Sequence, residues 1–163
     1  MSFAKLCAGV GAAAVTLAAF GQPSLAERPR PTDAVRIAAV RMQLVYENSG
    51  RLSRDITPPS NFALWNTGAG EGDAAEPANQ AMVSVVLAGR GMERLQHTPL
   101  HLTVRGPQGR VLVSRTFNDV FMTGGRVVRS VMVQNIACAG RVTIEARLGA
   151  QRRTSAVNFE CGE

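Results

Sequence analysis

The segment that most constrains this chain lies near its C-terminus. Val142, Ile144, Ala146 and Leu148 alternate with Arg141, Thr143, Glu145 and Arg147, the chain meets Gly149-Ala150, and a second extended run follows from Thr154 to Glu160. Alternation with period two places the apolar side chains on one face of a strand. Glycine at the first central position suits a two-residue type II′ hairpin loop. Such a loop fixes the register: Leu148 faces Gln151, Val142 faces Val157, Gly140 faces Phe159, and Cys138 faces Cys161. The turn chemistry and the two cysteines agree on one register without being fitted to each other, so a Cys138 to Cys161 disulfide is expected. Counting in twos from the 148/151 pair puts the cysteines at a hydrogen-bonded position, where cross-strand residues stand farther apart. Ala139-Gly140 is therefore expected to leave regular pairing there.

The rest of the chain reads in the same period. From Val35 to Tyr46 the alternation shifts phase, as a strand with a bulged residue near position 39 would show; a helical stripe through Ile37, Val40 and Leu44 is the competing reading. The β-branched run Ala81 to Ala88, stopped by Gly89-Arg90-Gly91, is expected to be a central strand. Leu100, Leu102 and Val104 precede Gly106-Pro107-Gln108-Gly109, whose spacing fits a type I turn. An even loop there pairs Val104 with Val111 and Leu102 with Val113. Val127 to Gln134 follows a Gly124-Gly125 turn. About seven short strands with turn chemistry between them and no long helix indicate an all-β fold, an antiparallel β-sandwich immunoglobulin-like in general architecture. A small β-barrel is the alternative.

The N-terminus reads differently. Lys5, an uncharged run of 15 residues from Leu6 to Phe20, and Ser24-Leu25-Ala26 have the order of a basic, an apolar and a small-residue cleavage region. The run is shorter than the ~20 residues of a membrane-spanning helix, so residues 1–26 are expected to be a cleaved signal peptide, with no transmembrane segment remaining. Residues 27–33 form a flexible proline-rich leader and 34–163 a single domain. Cleavage discards Cys7 and leaves Cys138 and Cys161 as the even pair typical of an oxidising compartment, periplasmic or secreted. Lys5 is the only lysine among 18 basic residues, so every basic residue of the mature chain is arginine, set against 12 carboxylates.

The one segment without alternation is the 47–80 loop, with 34 residues from Glu47 through Gln80. Connections above roughly 12 to 15 residues are uncommon in compact domains and are usually functional or disordered. This one holds Leu52, Ile56, Phe62, Leu64 and the only tryptophan, Trp65. Two readings are open. Phe62, Leu64 and Trp65 plug one end of the sandwich, with Ser60 or Asn61 capping a short helical turn through Trp65. Alternatively Trp65 and Asn66 offer a stacking face and an amide to a ligand, beside Glu71 and Asp73, whose carboxylates alternate with glycines and would suit a hard cation such as calcium. The loop lacks the spacing of an EF-hand.

Other chemistries have little sequence support. The mature chain has two histidines, His97 and His101, with Pro99 between them; on a strand they stand about 13 Å apart, too far to share an ion. A copper site built from Met92 and a histidine has no further ligand pattern. The mature chain has no Gly-x-Ser-x-Gly elbow and, having no lysine, no Ser-x-x-Lys pair. Few aromatics and an exported chain argue against nucleic acid. Outward arginines on the expected hairpins, Arg105, Arg141 and Arg147, form a stripe, Arg152-Arg153 adds a local pair, and such a face suits an envelope protein or an anionic envelope polymer. The expectation is a non-enzymatic binding or structural module with no cofactor or bound metal. A small-ligand or metal-ion carrier using the 47–80 loop, and a small hydrolase, are the alternatives.

Overall fold

The computed structural model describes residues 35–91, 93–95 and 98–162. The expected signal peptide, the proline-rich leader, Cys7, Met92 and His97 lie outside the described residues. Among the described residues nine strands form: β1 (Arg36–Val45), β2 (Gln80–Ala88), β3 (Glu93–Leu95), β4 (Leu100–Arg105), β5 (Val111–Phe117), β6 (Val120–Met122), β7 (Arg126–Gln134), β8 (Gly140–Leu148) and β9 (Gln151–Phe159). A three-stranded sheet ordered β1-β2-β7 packs on a four-stranded sheet ordered β5-β4-β8-β9, and β3 pairs with β6. All these ladders are antiparallel. The fold is the antiparallel β-sandwich read from the alternation, with two three-residue strands added that are too short to show a period.

The core lies where the two sheets face each other. Met42 and Leu44 of β1 and Val83, Val85 and Leu87 of β2 come from one side, and Leu102, Val104, Ile144, Ala146 and Phe159 from the other; all are buried. β1 bulges between Ile37 and Ala39, as the phase shift requires. Beyond the bulge its first residues bridge the two sheets. The Gln151 side chain accepts from Ile37 N at 3.0 Å and donates to Val35 O at 2.7 Å. Arg153 Nη1 donates to Ala38 O at 2.7 Å.

The β8-β9 hairpin has the derived register throughout, from Leu148 opposite Gln151 to Gly140 opposite Phe159. Gly149 takes φ 55° while Ala150 does not share a positive φ. At the other end Gly140 (φ 68°) keeps its place opposite Phe159, against the expectation that Ala139-Gly140 leaves the pairing; the ladder ends there, and Cys138 (φ 60°) turns outside it. The Cα atoms of Cys138 and Cys161 then stand 4.9 Å apart, joined by a disulfide.

The β4-β5 hairpin differs from its expected register by two residues: Val104 faces Val113 and Leu102 faces Arg115. The reversal is centred one residue further along than Pro107-Gln108. Gln108 (φ 56°) and Gly109 (φ 77°) both have positive φ, and Arg110 N donates to Pro107 O, the pattern of a type I′ turn. A register break between Val104 and Arg105 accommodates the shift.

The 47–79 segment is used as edging. Residues 52–57 run along the open side of β1. Ser53 N donates to Leu44 O at 3.0 Å and Ile56 N to Met42 O at 2.8 Å. In return Leu44 N donates to Ser53 Oγ at 2.9 Å and Met42 N to Asp55 Oδ1 at 3.2 Å. Side-chain oxygens thus stand where a neighbouring strand's carbonyls would. Farther on, Glu160 N donates to Leu64 O at 2.9 Å and Asn66 N to Glu160 O at 2.8 Å, adding a parallel bridge at the end of β9. Unpaired strand edges invite association, and this irregular segment covers that of β1 and bridges to the chain just past β9.

Candidate functional site

Because Leu100, Leu102, Val104, Val142, Ile144, Ala146 and Leu148 face the core, strand alternation turns His101, Thr103, Arg105, Arg141, Thr143, Glu145 and Arg147 outward. The register aligns them in rows across the four-stranded sheet. Thr116, His101, Arg147 and Arg152 make one row; Ser114, Thr103, Glu145 and Thr154 make the next; Arg105 and Thr143 follow, with Arg141 beside Asn158 at the end. His101 Nδ1 and Thr116 Oγ1 are 3.1 Å apart, and Thr103 and Ser114 hydroxyls 3.4 Å apart.

Two depressions lie on this face. One, of about 510 Å³, is bounded by Thr98, Pro99 and Gly149 and floored by His101 and Thr103. The other, of about 560 Å³, lies against the Gly106 to Gly109 turn with Arg141, Thr143 and Arg152. Arg105 and Glu145 line both, so the two adjoin. Four guanidinium groups surround one carboxylate here, and two of them pair with it. Arg152 Nη2 donates to Glu145 Oε2 at 2.6 Å, and Arg147 Nε stands 3.9 Å from Oε1. Arg105 Nη1 donates to Gly109 O at 3.2 Å, and Arg141 has no ion-pair partner among the described residues. Arg147 and Arg152 keep over 60% of their side-chain surface in solvent. The arrangement offers positive charge at four points, with threonine hydroxyls and one carboxylate between them.

The structure collects Arg105, Arg141 and Arg147 on one face together with Arg152. It separates Arg153, whose position on β9 turns it toward β1 and Ala38. Glu145, the acceptor at the centre, was not singled out from the sequence, although the hairpin register already sets it beside Arg147 and diagonal to Arg152.

The second sequence candidate is Trp65 with Asn66, Glu71 and Asp73. Residues 60–65 make no helical turn; the short 3-10 turn lies at Thr67–Ala69. The loop divides its apolar residues: Ile56 and Leu64 are buried, Phe62 is partly so, and Trp65 remains 44% exposed. Its indole leans on Gly162, where a Cβ would collide with the ring. Asn66 Nδ2 donates to Glu71 Oε2 at 2.7 Å. Asp73 instead accepts from Ala63 N at 3.0 Å and lies 3.5 Å from Arg54 Nη2, and Arg54 in turn covers the Phe62 ring at 5.2 Å. The two carboxylates thus serve different partners and fasten the loop to itself. Among the described residues no group of three His, Cys, Asp or Glu side chains is placed to hold a metal ion.

A third charged feature sits on the β3-β6 pair. Arg94 donates to both carboxylate oxygens of Asp119, at 3.0 and 2.7 Å. These hydrogen bonds hold the Asp119 carboxyl below its ordinary range and raise the Arg94 guanidinium above its own. Both groups are exposed, so the pair adds little to stability.

No protein-family model matches the chain, and no curated protein matches it in sequence. Among solved structures, the C-terminal domain of wzt is similar, with a TM-score of 0.40 at 11% identity over 79% of this chain and 74% of that one. At that distance any functional reading rests on this chain's own residues. No helix among the described residues is long and apolar enough to cross a membrane.

Proposed function

We propose that this chain is an exported, non-enzymatic binding module whose outer four-stranded face receives an anionic polymer of the cell envelope. The observation that carries the reading is the junction of the two depressions at Arg105 and Glu145, ringed by Arg141, Arg147 and Arg152. A line of separated cations on a flat sheet suits a ligand whose negative charges recur at intervals, and clustered charge of one sign steers such a ligand from solution. The threonine hydroxyls and the Glu145 carboxylate supply neutral donors and an acceptor between the charges. The disulfide supports an oxidising compartment. The loop around Trp65 is the weaker site, because its polar groups are engaged with one another.

Calorimetric titration with purified lipopolysaccharide and with dextran sulfate tests this. Replacing Arg105 and Arg141 together by alanine should weaken binding at least about tenfold and flatten its salt dependence, since fewer counterions are exchanged. Replacing Arg36 and Arg126, exposed residues of the other sheet, should leave affinity within about twofold. Equal losses from both pairs would reduce the binding to general attraction by a basic protein and overturn the assigned face.

A further inference from the structure

The four outer sheet edges are treated unequally. The open side of β1 is covered by residues 52–57, and residues 64–66 meet the chain at Glu160, just past β9; among the described residues β5 carries no backbone partner on its outer side, and β7 only the bridge from Thr123 to Arg126 at its start. β5 is shaped against pairing: the register break beside Arg105 bends its start away from a flat ladder. β7 is not. It keeps nine uninterrupted pairs with β2 from Arg126 to Gln134, contains no proline, and presents Val128 and Met132 at 46% and 44% exposure. A long, flat edge with exposed apolar residues is what isolated sheets avoid.

We propose that β7 is a homodimer interface, in which two copies join their three-stranded sheets edge to edge about a two-fold axis at Ser130. The sequence of β7 is self-complementary in that register. Antiparallel pairing through Ser130 sets Val128 opposite Met132 of the second copy on the outer face, and Val127 opposite Val133 on the inner face. Arg129 meets Val131, while Arg126, already bridged to Thr123, lies outside the newly paired stretch. No two arginines stand opposite each other, which matters because like charges directly across a ladder are unfavourable. The Ser84 and Ser130 hydroxyls, 2.8 Å apart on the outer face, extend to the second Ser130 and its own Ser84 as a row of hydroxyls. A two-fold axis of this kind is the commonest way soluble chains close an exposed self-matching surface, and β-strand addition at an open edge is its simplest form.

Sedimentation equilibrium of the disulfide-bonded protein over a range from micromolar to about millimolar tests the proposal. The wild type should approach twice the monomer mass as concentration rises. The variant V128K/M132K places lysines opposite each other twice and should stay monomeric. V128K/M132E pairs lysine with glutamate across the axis and should recover the dimer. Unchanged circular-dichroism melting in both variants separates lost association from lost folding. If the double-lysine chain fails to fold, S130C decides the matter: mild oxidation should link two copies through position 130, while S114C on β5 should not link. A wild type that stays monomeric at the highest concentration overturns the proposal. So does a dimer that survives V128K/M132K, or one that links through position 114 and not 130.

Discussion

The β8-β9 hairpin and the 47–79 segment are both scaffold, yet they are made from different materials. The hairpin satisfies its backbone by a regular ladder of nine residue pairs and seals the end with a disulfide. The segment has no ladder: it answers the amides of β1 with the side-chain oxygens of Ser53 and Asp55, meets Glu160 through its backbone at Leu64 and Asn66, and fastens itself through Asp73. Regular backbone pairing writes a period into the sequence, because every second residue must be apolar. Side-chain substitution writes none, since one serine or aspartate per contact is enough. The two regions therefore differ in how a single substitution is felt: the hairpin through buried volume, the segment through one polar atom.

The sharpest way to break this contrast is at Phe159, among the largest fully buried side chains. Phe159→Ala should destabilise the fold by about 3–5 kcal/mol, through lost apolar burial plus the cavity left behind. Urea unfolding measures it; a cost near 1 kcal/mol would show that the hairpin is not the packed half of the comparison. Next is the bridge itself, with a sequence separation of 23 residues. Reduction, or Cys138→Ala with Cys161→Ala, should remove about 3 kcal/mol on the chain-entropy model and lower the melting temperature by roughly 10 °C. An unchanged melting curve in strong reductant would mean that the ladder alone holds the end closed. The smallest of the three effects belongs to Asp55, whose Oδ1 accepts from Met42 N, Thr57 N and Thr57 Oγ1. Asp55→Ala should cost about 1–2 kcal/mol, discounted for partial exposure, and should speed hydrogen exchange at the Met42 amide. Asp55→Asn, which keeps an oxygen, should lose less than half as much. If Asn and Ala are equivalent, the segment covers β1 by bulk rather than by its acceptor.

What could be read from the sequence follows the same division. The β8-β9 register, the bulge beside Ala38 and the central place of β2 were legible because alternation, phase shift and β-branched runs are periodic signals. The β4-β5 register was not, because Pro107 and Gly109 fit a type I turn on paper while the chain puts Gln108 in the left-handed region and turns one residue later. β3 and β6 are too short to carry a period. At the candidate site, Arg105, Arg141 and Arg147 were legible from strand parity alone. Arg152 and Arg153 are neighbours in sequence, but alternation sends them to opposite faces, so their adjacency does not put both on the site. The partners of Glu71 and Asp73 were hidden for the opposite reason: composition shows that two carboxylates are near each other in sequence, but not that Asn66 and Ala63 claim them separately.

The position of Trp65 carries one more consequence. Its indole rests on Gly162, next to Cys161, while its backbone neighbours bond to Glu160. The single tryptophan is thus an optical gauge fitted at the one place where loop, last strand and disulfide meet. Its emission colour reports whether that joint is fastened, leaving the body of the sandwich silent in the same spectrum.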